Sequence, residues 1–113
     1  MIEDDIFLRK VYRDQLERNN FEFVEATNGL EGINKVMSDK PDLVLLDLML
    51  PRKNGFEVLE EMQLNDEMRD IPVIILTNLG QEPDIQKGKD MGAVGYLVKT
   101  DFSMKDVIGK IKE

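Results

Sequence analysis

Histidine, cysteine and tryptophan are all absent from this 113-residue chain. Without histidine the commonest general base and zinc ligand is missing, and without cysteine there is neither a disulfide nor a thiolate metal site. Catalytic sets of the Ser/His/Asp and Cys/His kinds are therefore excluded. Long hydrophobic runs are lacking as well: no stretch approaches the roughly eighteen apolar residues of a membrane span. Positive charge is in deficit, with 15 Lys and Arg against 23 Asp and Glu and a net charge of -8. Such a surface repels phosphate backbones and anionic head groups, so neither nucleic-acid binding by this chain nor membrane association is expected. The first residues carry no basic leader and no apolar signal core, a pattern expected of a cytoplasmic protein.

What remains is ordinary globular material. Apolar residues make up 42% and charged residues 34%, enough for one core and its cover, and the length suits a single domain over residues 1–113. Repeats, low-complexity tracts and interdomain linkers are absent. The seven methionines are scattered and read as core filler or plastic contact surface.

Short apolar runs alternate with segments of helical period, and turn residues mark each changeover. Ile6 to Asn19 predicts a helix with Leu8, Val11, Tyr12 and Leu16 on one stripe. Phe21 to Ala26 predicts a short strand whose Glu22 and Glu25 suit a sheet edge. After Thr27-Asn28-Gly29, a second helix carries Leu30, Ile33 and Met37 at helical spacing. Asp42 to Asp47 contains Leu43-Val44-Leu45-Leu46, an unbroken apolar run that fits a strand buried on both faces. A loop over Leu48 to Asn54 leads to a third helix, Gly55 to about Leu64, and Pro72 to Thr77 is a second fully buried strand. The fourth helix, about Glu82 to Met91, has only Ile85 and Met91 clearly apolar. Gly95 to Val98 is a short last strand, and Ser103 to Lys112 a closing helix capped by Ser103. Strands alternating with helices require parallel pairing and right-handed crossovers, which makes an open, doubly wound α/β sheet with helices on both faces.

In such a sheet the active crevice lies beyond the carboxyl ends of the strands. Asp4 and Asp5 follow the apolar Met1-Ile2, Asp47 ends the Leu-rich strand, Thr77 ends the Ile-rich strand and Lys99 ends the last. Each has a structural alternative: Asp5 could cap the first helix, Thr77 could satisfy a turn, and Lys99 could pair with a surface acid. Together they point to chemistry, because three carboxylates at one rim repel one another unless a cation compensates them. Oxygen-only ligands suit a hard cation such as Mg2+, completed by a substrate phosphate. An aspartate beside that ion can attack phosphorus and become an aspartyl-phosphate. Thr77 and Lys99 are then suitable donors to the phosphoryl oxygens.

The ordered set Ile2-Glu3-Asp4-Asp5, Asp47-Leu48-Met49-Leu50-Pro51 with Asn54-Gly55, Leu76-Thr77 and Gly95-Tyr96-Leu97-Val98-Lys99 resembles the receiver domain of bacterial two-component response regulators over nearly the whole chain. The resemblance implies a flavodoxin-like, five-stranded parallel sheet in the order 2-1-3-4-5 with five helices. It implies a phosphoacceptor signalling domain that takes a phosphoryl group from a sensor histidine kinase or a histidine phosphotransfer protein. Asp47 is then the phosphoacceptor, Asp4, Asp5, Asp47 and the main-chain carbonyl of Met49 hold Mg2+, and Lys99 binds the phosphoryl group. Thr77 is the switch hydroxyl and Tyr96 the switch aromatic, reshaping the face of the fourth helix and last strand. Such a domain is no conventional enzyme; its only chemistry is self-catalysed phosphoryl transfer and autodephosphorylation. An output domain or protein partner and a homodimer both stay open.

Three positions depart from the resemblance. Lys99 is followed by Thr100 where the family usually has proline; the bond is expected to stay cis, although a cis non-proline bond costs about 3 kcal/mol. Asn78 stands where a small residue is usual. A strand needs about five residues, yet only Met1-Ile2-Glu3 precede Asp4, so the first strand looks halved. Residues trimmed or omitted ahead of Met1 are the expected cause, and completion of the sheet by another chain is the alternative. Two other functions compete: a receiver-like interaction module that is never phosphorylated, and a Mg2+-dependent phosphohydrolase with an aspartate nucleophile. The latter would need a second Asp two residues after Asp47, where Met49 stands.

Overall fold

Val44–Asp47 (β1) and Val73–Thr77 (β2) form the middle of a parallel sheet, and every residue of both is buried. Successive side chains leave a strand on opposite faces, so an unbroken apolar run can be satisfied only between two layers of helices. The structure, a computed structural model, describes residues 1–50, 52–77 and 82–98. Within them the helices are Ile6–Arg18 (α1), Gly29–Asp39 (α2), Gly55–Leu64 (α3) and Glu82–Asp90 (α4), and the third strand is Gly95–Val98 (β3). The closing helix expected over 103–112 lies outside the described residues, as do Asn78, Lys99 and Thr100 with the bond expected to be cis.

The two faces of the sheet hold two separate cores. Leu45, Ile74 and Leu76 pack with Leu8, Tyr12 and Leu16 of α1. Val44, Leu46, Val73 and Ile75 pack with Ile33 and Val36 of α2 and with Val58, Leu59 and Met62 of α3. The expected stripe of α1 is thus the buried one, save that Val11 is only half-buried. On α2 the expected stripe is displaced: Leu30 is 46% exposed, while Gly29, Gly32, Ile33 and Val36 face inward. Glycine carries no hydropathy signal, yet a Cβ at Gly32 would come within 2.5 Å of Ile2 Cδ1, so the bare backbone is what lets α2 close on the sheet. α4 uses the same device, with Gly88 buried against Ile75.

Strand β1 pairs with β2 in the register Val44↔Val73 to Asp47↔Leu76, and β2 pairs with β3 from Ile74↔Gly95 to Thr77↔Val98. On the other side of β1, Ile2 makes single parallel bridges to both Leu46 and Ala26. Its N–H donates to Leu45 O at 2.8 Å and its carbonyl accepts from Asp47 N at 3.0 Å. Glu3 N donates to Ala26 O at 3.0 Å, and Ala26 N to Met1 O at 2.9 Å. The five sheet positions therefore run 2-1-3-4-5, with Ala26 and Ile2 as single bridges at the first two. The strand expected over 21–26 is reduced to Ala26, because its partner reaches it with only one pairing residue. Phe21 and Phe23 instead pack on the α1 core. No described helix is long and apolar enough to cross a membrane.

Candidate functional site: an acidic rim at the strand ends

Parallel pairing brings the carboxyl ends of residues 1–3, β1 and β2 to one edge. There Glu3, Asp4 and Asp47 each present a carboxylate oxygen, and these oxygens lie within 4.8 Å of one another. Glu3 is fully buried, Asp47 is 2% exposed and Asp4 faces solvent. Asp47 Oδ1 accepts from Met49 N at 3.1 Å, which ties the acid to the turn that follows it. Thr77, buried, ends β2 one residue past the Leu76 that pairs with Asp47. Tyr96 pairs with Ile75 in β3, is half-exposed, and has Lys89 Nζ 5.0 Å from its ring centroid.

Asp5 does not join the group. Its Oδ1 caps α1, accepting from Phe7 N at 2.9 Å and Leu8 N at 3.1 Å. Of the expected Asp4, Asp5 and Asp47, the structure thus brings Asp4 and Asp47 together with Glu3 and places Asp5 at the start of α1. The first N–H groups of a helix need an acceptor one residue before the helix begins, and with α1 starting at Ile6 that residue is Asp5. A signal for this was present: an acid directly before the first helical residue reads as a cap, which leaves the preceding two acids for the rim. Glu3 Oε2 then accepts from Asp5 N at 3.2 Å, so the cap and the rim are in contact.

Gly55 holds the turn after Asp47 close. Its N–H donates to Leu48 O at 3.0 Å, and a Cβ there would collide with the Asp47 carbonyl and sit 2.5 Å from Leu48 Cα. Asn54 and Glu57 close a capping box at the same helix start. Both obstructing groups are backbone, so Gly55→Ala is expected to destabilise the fold by about 1–3 kcal/mol. An unchanged urea midpoint would show that the turn yields instead.

Tyr12 is buried behind the rim. Burial, and secondarily the charge of Glu3, push its hydroxyl up to about 12. An unfolded tyrosine ionises near pH 10, so between pH about 10 and 12 the unfolded chain binds fewer protons and stability falls as pH rises. Tyr12→Phe is expected to flatten that alkaline limb in urea unfolding measured at pH 9 and 11; an equally steep limb in the variant would assign it to other groups.

Residues 1–112 match the family described as "Response regulator receiver domain". The chain belongs to that family. The receiver is 37% identical over 112 residues to the phosphate regulon transcriptional regulatory protein PhoB of Escherichia coli K12, covering 99% of this chain and 48% of PhoB. It thus spans about half the length of that relative. The polar-differentiation response regulator DivK of Brucella anthropi is 33% identical over 99 residues, covering 88% of this chain and 80% of DivK. Among solved structures, the BeF3-activated N-terminal receiver domain of Klebsiella pneumoniae RstA superimposes with a TM-score of 0.89 at 26% identity, over 98% of this chain and 92% of that one. The fold is that of a receiver, and the domain is a signalling domain of two-component response regulators, phosphorylated on aspartate.

Proposed function

We propose that this receiver accepts its phosphoryl group on Asp47, from the phosphohistidine of a sensor histidine kinase or histidine phosphotransfer protein. The observation that carries the reading is the burial of Asp47 at the end of β1 in one group with Glu3 and Asp4. A carboxylate oxygen of Asp47 forms the new P–O bond while the P–N bond of the donor breaks. The electron pair stays on the imidazole nitrogen, which then takes up a proton. Thr77, at the end of the neighbouring strand, donates its hydroxyl to a phosphoryl oxygen, and Lys99 supplies a positive charge.

The rim fits Mg2+, since its donors are all oxygens, two of them on largely buried side chains, and include no nitrogen or sulfur ligand. Glu3, Asp4, Asp47 and the main-chain carbonyl of Met49 would hold it. When bound, the ion supplies charge that offsets the mutual repulsion of the carboxylates and of the incoming phosphoryl oxygens. Asp5 contributes by fixing the start of α1, so that Glu3 and Asp4 leave the helix in a defined direction.

Thr77 and Tyr96 carry the signal outward. Tyr96 stands on β3 beside α4, where drawing Thr77 toward the phosphoryl group opens room for the ring. The switched surface is then the face of α4 and β3, read by an output domain or protein partner. The cytoplasm is the compartment proposed, in keeping with relatives whose named role is transcriptional regulation.

Incubation with Mg2+ and a small acyl phosphate, followed by intact-mass measurement, tests the reading. One phosphoryl group per chain is expected, and none when Mg2+ is chelated. No adduct at saturating donor would favour an unphosphorylated interaction module, while repeated turnover of phosphoesters would make the protein a phosphohydrolase.

A further inference from the structure

Arg9 lies in α1, one turn beyond the cap, and is only 7% exposed. Its Nη1 donates to the main-chain carbonyl of Glu3 at 2.7 Å, and its Nε donates to Glu25 Oε1 at 3.1 Å. The Glu3 carbonyl belongs to the peptide that joins Glu3 to Asp4, and the orientation of that peptide fixes where both side chains leave the backbone. Glu25 precedes Ala26, whose carbonyl accepts from Glu3 N at 3.0 Å. A single guanidinium therefore links α1, the Glu3–Asp4 peptide and the segment that borders residues 1–3. This link matters more here than in a long strand, because residues 1–3 join the sheet through only one bridging residue, Ile2.

We propose that Arg9 is a positioning residue for the acidic rim, holding the Glu3–Asp4 peptide so that the two carboxylates converge with Asp47. The proposal rests on the metal-binding reading above. Two physical effects oppose each other at this position. A buried cation near the rim repels a second cation, so its removal by itself would tighten Mg2+ binding; the loss of a tether spreads the carboxylates and loosens it. The charge of Arg9 is already compensated by Glu25, itself held at 2.8 Å by Arg13 Nη2. The tether is therefore the larger effect. Lysine would keep the charge but present one ammonium in place of the fork that spans two acceptors, so charge and geometry can be separated.

The test is Mg2+ titration by calorimetry on the whole chain without phosphodonor, with amide exchange at Asp4 and Asp5 as a second readout. Arg9→Gln is expected to weaken Mg2+ binding about tenfold, in line with loss of a residue that orients a metal ligand, and to speed exchange at both amides. Arg9→Lys is expected to weaken binding several-fold despite its retained charge. Arg13→Gln removes the other partner of Glu25 without touching Glu3 and is expected to stay within about twofold of the unaltered chain. Unchanged or tighter binding in Arg9→Gln would overturn the proposal; if that variant does not fold, full affinity in Arg9→Lys would do so. Absence of Mg2+ binding in the unaltered chain would sink the metal reading, and the proposal with it, whereas normal binding there with unchanged Arg9 variants would sink the positioning role alone.

Discussion

Asp47→Asn is expected to take up no phosphoryl group under conditions where the unaltered chain is fully modified. The substitution keeps the shape of the side chain and an oxygen to accept from Met49 N, so the turn after β1 survives. What it removes is the anionic nucleophile: an amide oxygen cannot become a stable acyl phosphate. In a serine protease, loss of the attacking group lowers kcat by about 10^6-fold, and a comparable loss here means no adduct by intact mass. The fold should not suffer. One of three carboxylates whose oxygens lie within 4.8 Å of one another becomes neutral, so in Mg2+-free buffer the variant is expected to melt at or above the temperature of the unaltered protein. An adduct of the same stoichiometry on the variant would move the phosphoacceptor elsewhere.

The second large effect separates Glu3 from Asp5. Glu3→Gln is expected to raise the Mg2+ concentration for half-maximal phosphorylation about a hundredfold. Loss of residues that merely orient a ligand costs 10–100-fold, and a ligand itself belongs at or above the top of that range. The amide can still accept from Asp5 N, the 3.2 Å bond that Glu3 Oε2 now makes, which confines the change to charge. Asp5→Asn is expected to do almost nothing. Asparagine caps helices about as well as aspartate, so the bonds to Phe7 N and Leu8 N persist, and the rim keeps all its carboxylates. Phosphorylation assayed over a Mg2+ series for both variants decides between them; a large shift in Asp5→Asn with none in Glu3→Gln would restore Asp5 to the metal site.

The layered α/β architecture was legible because burial on both faces leaves a strong mark. Leu43-Val44-Leu45-Leu46 and Val73-Ile74-Ile75-Leu76 have no polar position, and only a parallel strand between two helical layers tolerates that. The bounds of α3 were legible for a different reason, since Asn54 and Glu57 form a local cap that needs no tertiary partner. The extent of pairing over 21–26 was not legible because composition describes what a strand could hold, whereas a ladder extends only as far as its partner, here Ile2 opposite Ala26. The exposure of Leu30 was not legible because apolar periodicity counts side chains, and the inward face of α2 includes Gly29, against Lys53, and Gly32, against Ile2, which have none.

By itself the sequence determined that carboxylates and a threonine hydroxyl would gather at the ends of parallel strands. The missing histidine and cysteine left no imidazole or thiolate ligand, and the strand ends follow from the apolar runs. Only the tertiary structure decided which of the consecutive acids at the amino terminus join Asp47. Neighbouring residues of like chemistry differ in the direction their side chains leave the backbone, and that direction is set where Ile2 bridges Leu46 and where α1 begins at Ile6. Those two points turn Glu3 and Asp4 toward the rim and Asp5 back onto its own helix. They also bring Arg9, one more surface charge in the sequence, to the Glu3 carbonyl from behind.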